Sequence, residues 1–176
     1  MIKRNTLGGH LGFTKRLGAL TLGVLCMGSA FAAQTSHGYP GTRTYVTHYP
    51  YAVLLKRLQH SIKAHHMGLL SIASASHGAA LRGITIPGNA VLMVFRNDFA
   101  VRMLKDSVAA GMEAPLRIYV TAQGPRRADI TYRTPSAVFS PYHNAPLNAL
   151  AHQLDPIYAA IVKSAAGPGA RRTREP

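Results

Sequence analysis

The chain has 176 residues, of which 20 are Lys or Arg and 6 are Asp or Glu, so its formal net charge is +14. The single cysteine, Cys26, excludes a disulfide framework, a Cys-x-x-Cys-His haem attachment and a thiolate zinc site. Few acids, and no nucleophile elbow, phosphate loop or dinucleotide fingerprint in the sequence, argue against a conventional enzyme.

Residues 1–32 are predicted to be a cleavable signal peptide. A basic start is followed by an apolar run over residues 17–28 and by the small residues of Ser29-Ala30-Phe31-Ala32. The run is shorter than the roughly 20 residues that span a bilayer, so no transmembrane anchor is expected after cleavage. The mature protein is then periplasmic or secreted, by the general secretory or the twin-arginine route. Its net charge is +10, because four bases and no acid leave with the signal.

The first half of the mature chain predicts two strands around one helix. Residues 33–42 are small, polar and turn-rich, which predicts a flexible leader before a single domain over residues 43–166. Alternating β-formers predict a strand over 43–48. Pro50 then favours a helix that ends near His65-His66, and a short apolar strand follows over 69–74.

The second half predicts three more strands and several helices. A helical turn over 77–83 precedes a buried strand over 90–95, a helix from Asn97 or Asp98 to about residue 110, and a hairpin of strands 116–122 and 128–133. Pro146 and Asp155-Pro156 each predict the start of a helix. Residues 167–176 are predicted to be a disordered basic tail. This order predicts an α+β two-layer sandwich, with an about five-stranded, mostly antiparallel sheet and helices packed on one face.

Histidine is the residue type that could bind a metal or haem without further acids. His60, His65 and His66 spread round their predicted helix and do not converge. His77 differs, because small residues on both sides leave room beside it for a flat group. A buried or turn-capping histidine is the plainer interpretation of this position, and a ligand role is the sharper one.

An ordered set of short motifs resembles the family catalogued as domain of unknown function 302. The resemblance covers roughly residues 43 to 165 and depends on order and spacing, since no single motif is specific. The chain departs from the family at Arg96-Asn97-Asp98 and Ala100-Val101, where a Gly-Asn-Pro turn and Gly-Thr are usual. The matching motifs are His77-Gly-Ala-Ala80, Gly83, Pro87, the strand AVLMVF, Ala114-Pro115-Leu116-Arg117, and Tyr132 with Pro135.

The resemblance implies a small exported α+β domain that dimerises, and some members look like b-type haem proteins with a histidine ligand. Carried over to this chain, the iron ligand would be His77. The haem would be held non-covalently in an apolar crevice that includes Met93 or Phe95. If the family's turn helps to shape the ligand pocket, its replacement by Arg96-Asn97-Asp98 argues against haem binding in this chain.

Two functional hypotheses follow. The first is an exported periplasmic ligand-binding domain, most concretely one that binds haem b through His77. The second is a non-catalytic, dimeric envelope protein whose basic surface binds anionic lipid or an acidic protein partner, suggested by the mature charge. Nucleic acid is not an expected partner, because the bases are scattered and are not interleaved with stacking aromatics. The plainer interpretation of these scattered basic residues is that they form an ordinary solvated surface.

Overall fold

Six strands and five α-helices make up the part of the chain that the computed structural model describes, residues 39–173. The predicted signal peptide and most of the predicted leader lie outside these residues. The strands are β1 (Thr42–Thr47), β2 (Gly68–Ala73), β3 (Asn89–Phe95), β4 (Leu116–Gly124), β5 (Arg127–Arg133) and β6 (Arg171–Arg172). The helices are α1 (Tyr51–Ala64), α2 (Ala75–Ala80), α3 (Asn97–Asp106), α4 (Pro135–Phe139) and α5 (Ala145–Ala166), with 3-10 turns over Ala109–Glu113 and Ser140–Tyr142.

The strands form one antiparallel sheet in the order β2-β3-β4-β5-β1-β6. This confirms the predicted α+β architecture, with six strands where about five were expected. The additional strand is β6, which pairs with β1 in a segment where the sequence predicts a disordered tail. Gly167 and Gly169 adopt positive φ angles of 71° and 83°, which redirect the chain after α5. The Thr173 amide then donates to the Thr44 carbonyl at 3.0 Å.

The core lies between the sheet and the helices. Leu92, Ile118 and Ile130 are fully buried on one face of the sheet, and Leu54 and Leu58 of α1 are buried one helical turn apart. α1 is tied to α5, because the Ser61 hydroxyl donates to the Ile161 carbonyl at 2.8 Å. Strand residues that alternate with the buried ones form the opposite face, called here the open face. Its members include Val91, Met93, Arg117, Tyr119, Thr131 and Arg133.

The last helix differs from the sequence-based expectation. The proline motifs predict two helices, whereas α5 is one helix of 22 residues with Pro156 in its interior. Asn144 caps it by accepting from the Leu147 amide at 2.9 Å. Asp155 starts no new helix and instead accepts from the Ser136 amide at 2.9 Å. Burial of the apolar stripe on both sides of Pro156 holds the helix together, although a proline there removes one helical hydrogen bond.

Within the described residues, no helix is long and apolar enough to cross a membrane.

Candidate functional site

α2, the short helix that carries His77, is held against β3 by side-chain hydrogen bonds. Ser74 caps α2, since its hydroxyl accepts from the His77 amide at 3.1 Å and donates to the Asn89 carbonyl at 2.7 Å. The Ser76 hydroxyl accepts from the Asn89 amide at 3.0 Å. The small residues noted in the sequence therefore fix the backbone of His77 relative to the sheet.

The imidazole of His77 is exposed and lies at the edge of an open depression of about 480 Å³. Tyr51 and Leu55 of α1 and Ile72 of β2 supply its apolar lining. Neither ring nitrogen forms a hydrogen bond with any residue in the described part of the chain. The ring is thus available as a ligand and is not a buried or capping histidine, because only its backbone amide takes part in the cap.

The other two predicted site residues lie elsewhere. Met93 is on the open face, where its sulfur accepts from the Ser71 hydroxyl at 3.3 Å. Phe95 lines a separate, small apolar cavity of about 40 Å³, together with Phe99 and Tyr158. The structure therefore places His77, Met93 and Phe95 in three different surroundings.

The turn in which the chain departs from the family pattern lies at the Phe95 cavity. Arg96 lines that cavity and its guanidinium lies 4.2 Å from the ring centre of Phe99. The Arg96 Nε atom donates to Asp98 Oδ1 at 2.7 Å, and this hydrogen bond lowers the pKa of Asp98. Since the depression beside His77 is lined by other residues, the changed turn does not form its wall.

The chemistry available at His77 is that of one imidazole against an apolar wall. Among residues 39–173, no group of three His, Cys, Asp or Glu side chains is placed to hold a metal ion. A metal held only by protein ligands is therefore not supported in this part of the chain. A group that needs a single axial protein ligand and an apolar surface fits these residues.

A second pocket, of about 310 Å³, was missed by the sequence analysis. It is called here the arginine pocket, because Arg117 of β4 and Arg133 of β5 both line it, with Glu113, Leu116, Tyr132 and Val138. Burial raises the pKa of Tyr132 to about 12, so its hydroxyl stays protonated at neutral pH. In the sequence, Arg117 and Arg133 lie among scattered bases, although their places in the predicted hairpin put them on neighbouring strands.

Comparison with known proteins agrees with this architecture. The crystal structure of an uncharacterized conserved protein DUF302 from Bacillus stearothermophilus superposes with a TM-score of 0.64 at 19% sequence identity, covering 72% of this chain and 98% of that chain. At that identity, the likeness concerns the fold alone. No curated protein matches the sequence. The family described as "Domain of unknown function DUF302" matches residues 43–165, the same span as the motif resemblance. The chain therefore belongs to the DUF302 family.

Proposed function

We propose that this protein is an exported, non-catalytic ligand-binding domain whose ligand lies against His77. The observation that carries the proposal is an exposed imidazole, free of hydrogen bonds to described residues, at the edge of an apolar depression of about 480 Å³. The depression is open to solvent, so a flat ligand would contact it with one face and keep the other exposed. Exposed apolar side chains also follow α2 in the chain, at Leu81, Ile84 and Ile86.

Haem b is the specific ligand that we propose. His77 would supply the axial nitrogen, and Tyr51, Leu55 and Ile72 would supply apolar contact area. Binding would be non-covalent, because the chain lacks a Cys-x-x-Cys-His motif. Haem bound through one histidine provides gas binding or electron transfer, according to what occupies its other axial position.

The experiment is a hemin titration of the mature protein, followed by visible spectroscopy in the oxidised and reduced states. We expect a saturable Soret band that shifts on reduction and is lost in His77→Ala. His60→Ala is the matched control, since His60 is an exposed histidine on α1, outside the depression. A Soret band with the same ligand field in His77→Ala would contradict the proposal, as would the absence of a saturable spectrum.

An anionic lipid surface is the second candidate binding partner. The residues of α3 and of the turn that follows it favour this candidate. Val101, Leu104, Val108 and Met112 are exposed apolar residues, with Val108 and Met112 at 78% and 88% exposure. The exposed bases Arg102 and Lys105 lie in the same segment. Apolar side chains beside bases are typical of surfaces that insert shallowly into anionic bilayers.

Co-sedimentation with phosphatidylglycerol and phosphatidylcholine vesicles tests this candidate. We expect binding to the anionic vesicles alone, weakening as salt is added because salt screens exposed charges. The double substitution Val108→Asp and Met112→Asp should abolish it, whereas Leu81→Asp, outside α3, should not. No binding to phosphatidylglycerol at low salt would contradict this candidate.

A further inference from the structure

We propose that the arginine pocket binds a small amino-acid-type zwitterion with an apolar side chain. Its carboxylate would be held by Arg117 and Arg133, and its ammonium group by Glu113. This site is separate from the depression beside His77, and the two are lined by different residues.

The two arginines face each other across neighbouring strands. The register pairs Ile118 of β4 with Tyr132 of β5, so the next positions, Arg117 and Arg133, lie opposite each other on the open face. Like charges directly opposite in a sheet are destabilising. Neither arginine has an ion pair with a carboxylate in the described part of the chain. An oxyanion between them would relieve this repulsion.

Arg133 is held in place and still has an unused donor. Its Nη2 atom donates to the Ala137 carbonyl at 3.0 Å, and its guanidinium carbon lies 5.6 Å from the ring centre of Tyr39. Its Nε atom is buried and has no hydrogen-bond partner among residues 39–173. Because this atom is buried, a ligand in the pocket would be held by the other N–H groups of the Arg133 guanidinium, which has five in all. A carboxylate suits a guanidinium because its two oxygens can accept two parallel hydrogen bonds.

Glu113 supplies the opposite charge in the same pocket. Its Oε1 atom accepts from the Tyr142 hydroxyl at 3.3 Å, which orients the side chain. Glu113 forms no ion pair with Arg117 or Arg133, although all three residues line the pocket, so a ligand group can lie between them. A carboxylate here repels a phosphate dianion and attracts an ammonium group.

The remaining walls and the size of the pocket define the rest of the ligand. Leu116, Tyr132 and Val138 present apolar surface. A volume of about 310 Å³ is at the lower end of the range for small-molecule sites. These features together fit a single amino acid with an aliphatic side chain.

Isothermal titration calorimetry at low ionic strength tests the proposal with four probes: L-leucine, 4-methylpentanoate without the amine, 3-methylbutylamine without the carboxylate, and inorganic phosphate. We expect L-leucine to bind most tightly. Arg117→Gln, at an exposed position, and Arg133→Gln should each weaken L-leucine at least about tenfold, the effect of losing one charge-assisted hydrogen bond. Glu113→Gln should remove the preference for L-leucine over 4-methylpentanoate.

Arg126→Gln is the matched control, because it removes one positive charge from the exposed hairpin turn between β4 and β5 and should leave L-leucine binding unchanged. His77→Ala should also leave it unchanged, which separates this site from the proposed haem site. Circular dichroism checks that each variant is folded. The proposal is overturned if L-leucine does not bind, if folded Arg117→Gln binds it as the wild type does, or if phosphate binds more tightly than L-leucine.

Discussion

Two glycines with similar positive φ angles have different surroundings. Gly41 and Gly83 have φ angles of +76° and +73°, a region that costs a residue with a Cβ atom about 1–2 kcal/mol. A Cβ on Gly41 would overlap the Cβ of Ala137, whereas a Cβ on Gly83 would meet no atom of the described residues within 4 Å. We therefore expect Gly41→Ala to lower the free energy of unfolding by clearly more than Gly83→Ala. Urea unfolding followed by circular dichroism measures both, and equal losses would contradict the placement of Gly41 against α4.

Asp129 is a nearly buried carboxyl group on the open face. Loss of solvation raises its pKa above the ordinary value of 3.8, and Arg127, 3.7 Å away, offsets only part of this shift. The folded protein thus holds the Asp129 proton to a higher pH than the unfolded chain does. Between the ordinary and the raised pKa, the folded state binds more protons than the unfolded chain. The stabilisation that protonation of Asp129 gives is therefore complete below pH 3.8 and is lost as pH rises through the raised pKa.

The test of this linkage is urea unfolding across the acidic and neutral pH range for the wild type and Asp129→Asn. The difference in unfolding free energy, variant minus wild type, should increase as pH rises from the ordinary pKa of aspartate through the raised one. Asparagine cannot ionise, so it avoids the burial of a charge at neutral pH. If the difference in unfolding free energy between the two proteins does not change with pH, the raised pKa of Asp129 is contradicted.

At the scale of elements, α5 shows where local signals and burial compete. Proline in a helix interior costs about 3 kcal/mol relative to alanine. Pro156 is tolerated because Leu150, Leu154 and Tyr158 around it are buried against the sheet. We expect Pro156→Ala to raise the free energy of unfolding by about 1–3 kcal/mol, measured in urea. If Pro156 instead began a second helix, the substitution would be neutral or destabilising, since proline is favoured in a first turn.

Periodicity within each segment predicts most elements of the fold, and pairing between distant segments explains the exceptions. The strands over 43–48 and 128–133 and the helix after Pro50 are confirmed, and each repeats apolar residues with its own period. The strand over 90–95 is also confirmed, but from its continuous apolar run. α4 and β6 are too short to show a period. β6 exists only because β1 offers a free edge, which the residues of β6 do not reveal.

The candidate sites were predictable to different degrees. The small residues around His77 signalled a special position from sequence alone, and the structure places that ring at a depression. Met93 was expected beside His77, but it lies on the open face. The sequence does not show this, because every residue of the apolar run in β3 is hydrophobic and the run has no alternation that separates the two faces. The positions of Arg117 and Arg133 opposite each other depend on the register of the β4–β5 hairpin. That register shifts between Ala122 and Gly124.

At the largest scale, that of the sheet and its helical layer, the described residues 39–173 place no helices over one face of the sheet. The part of the open face formed by β2, β3 and β4 presents Ala73, Val91, Met93 and Tyr119, which are uncharged and half-buried or exposed. The part on β4 and β5 carries Arg117 and Arg133. A second copy can therefore pack most favourably on the uncharged part, since two copies of the basic part would repel each other.

We expect the wild-type protein to form a homodimer through this uncharged part of the open face. Tyr119, which is 39% exposed and pairs with both Val91 and Thr131, lies near the centre of the sheet. Tyr119→Glu places an unpaired charge in the contact, and burying it without a partner would cost more than the dimer gains. Sedimentation velocity over a range of protein concentrations should show a dimer for the wild type and a monomer for Tyr119→Glu, with unchanged circular dichroism. Val101→Glu, on the helical side of the molecule, is the control that should remain dimeric. A monomeric wild type, or a Tyr119→Glu dimer, would mean that the open face is not the surface that joins two copies.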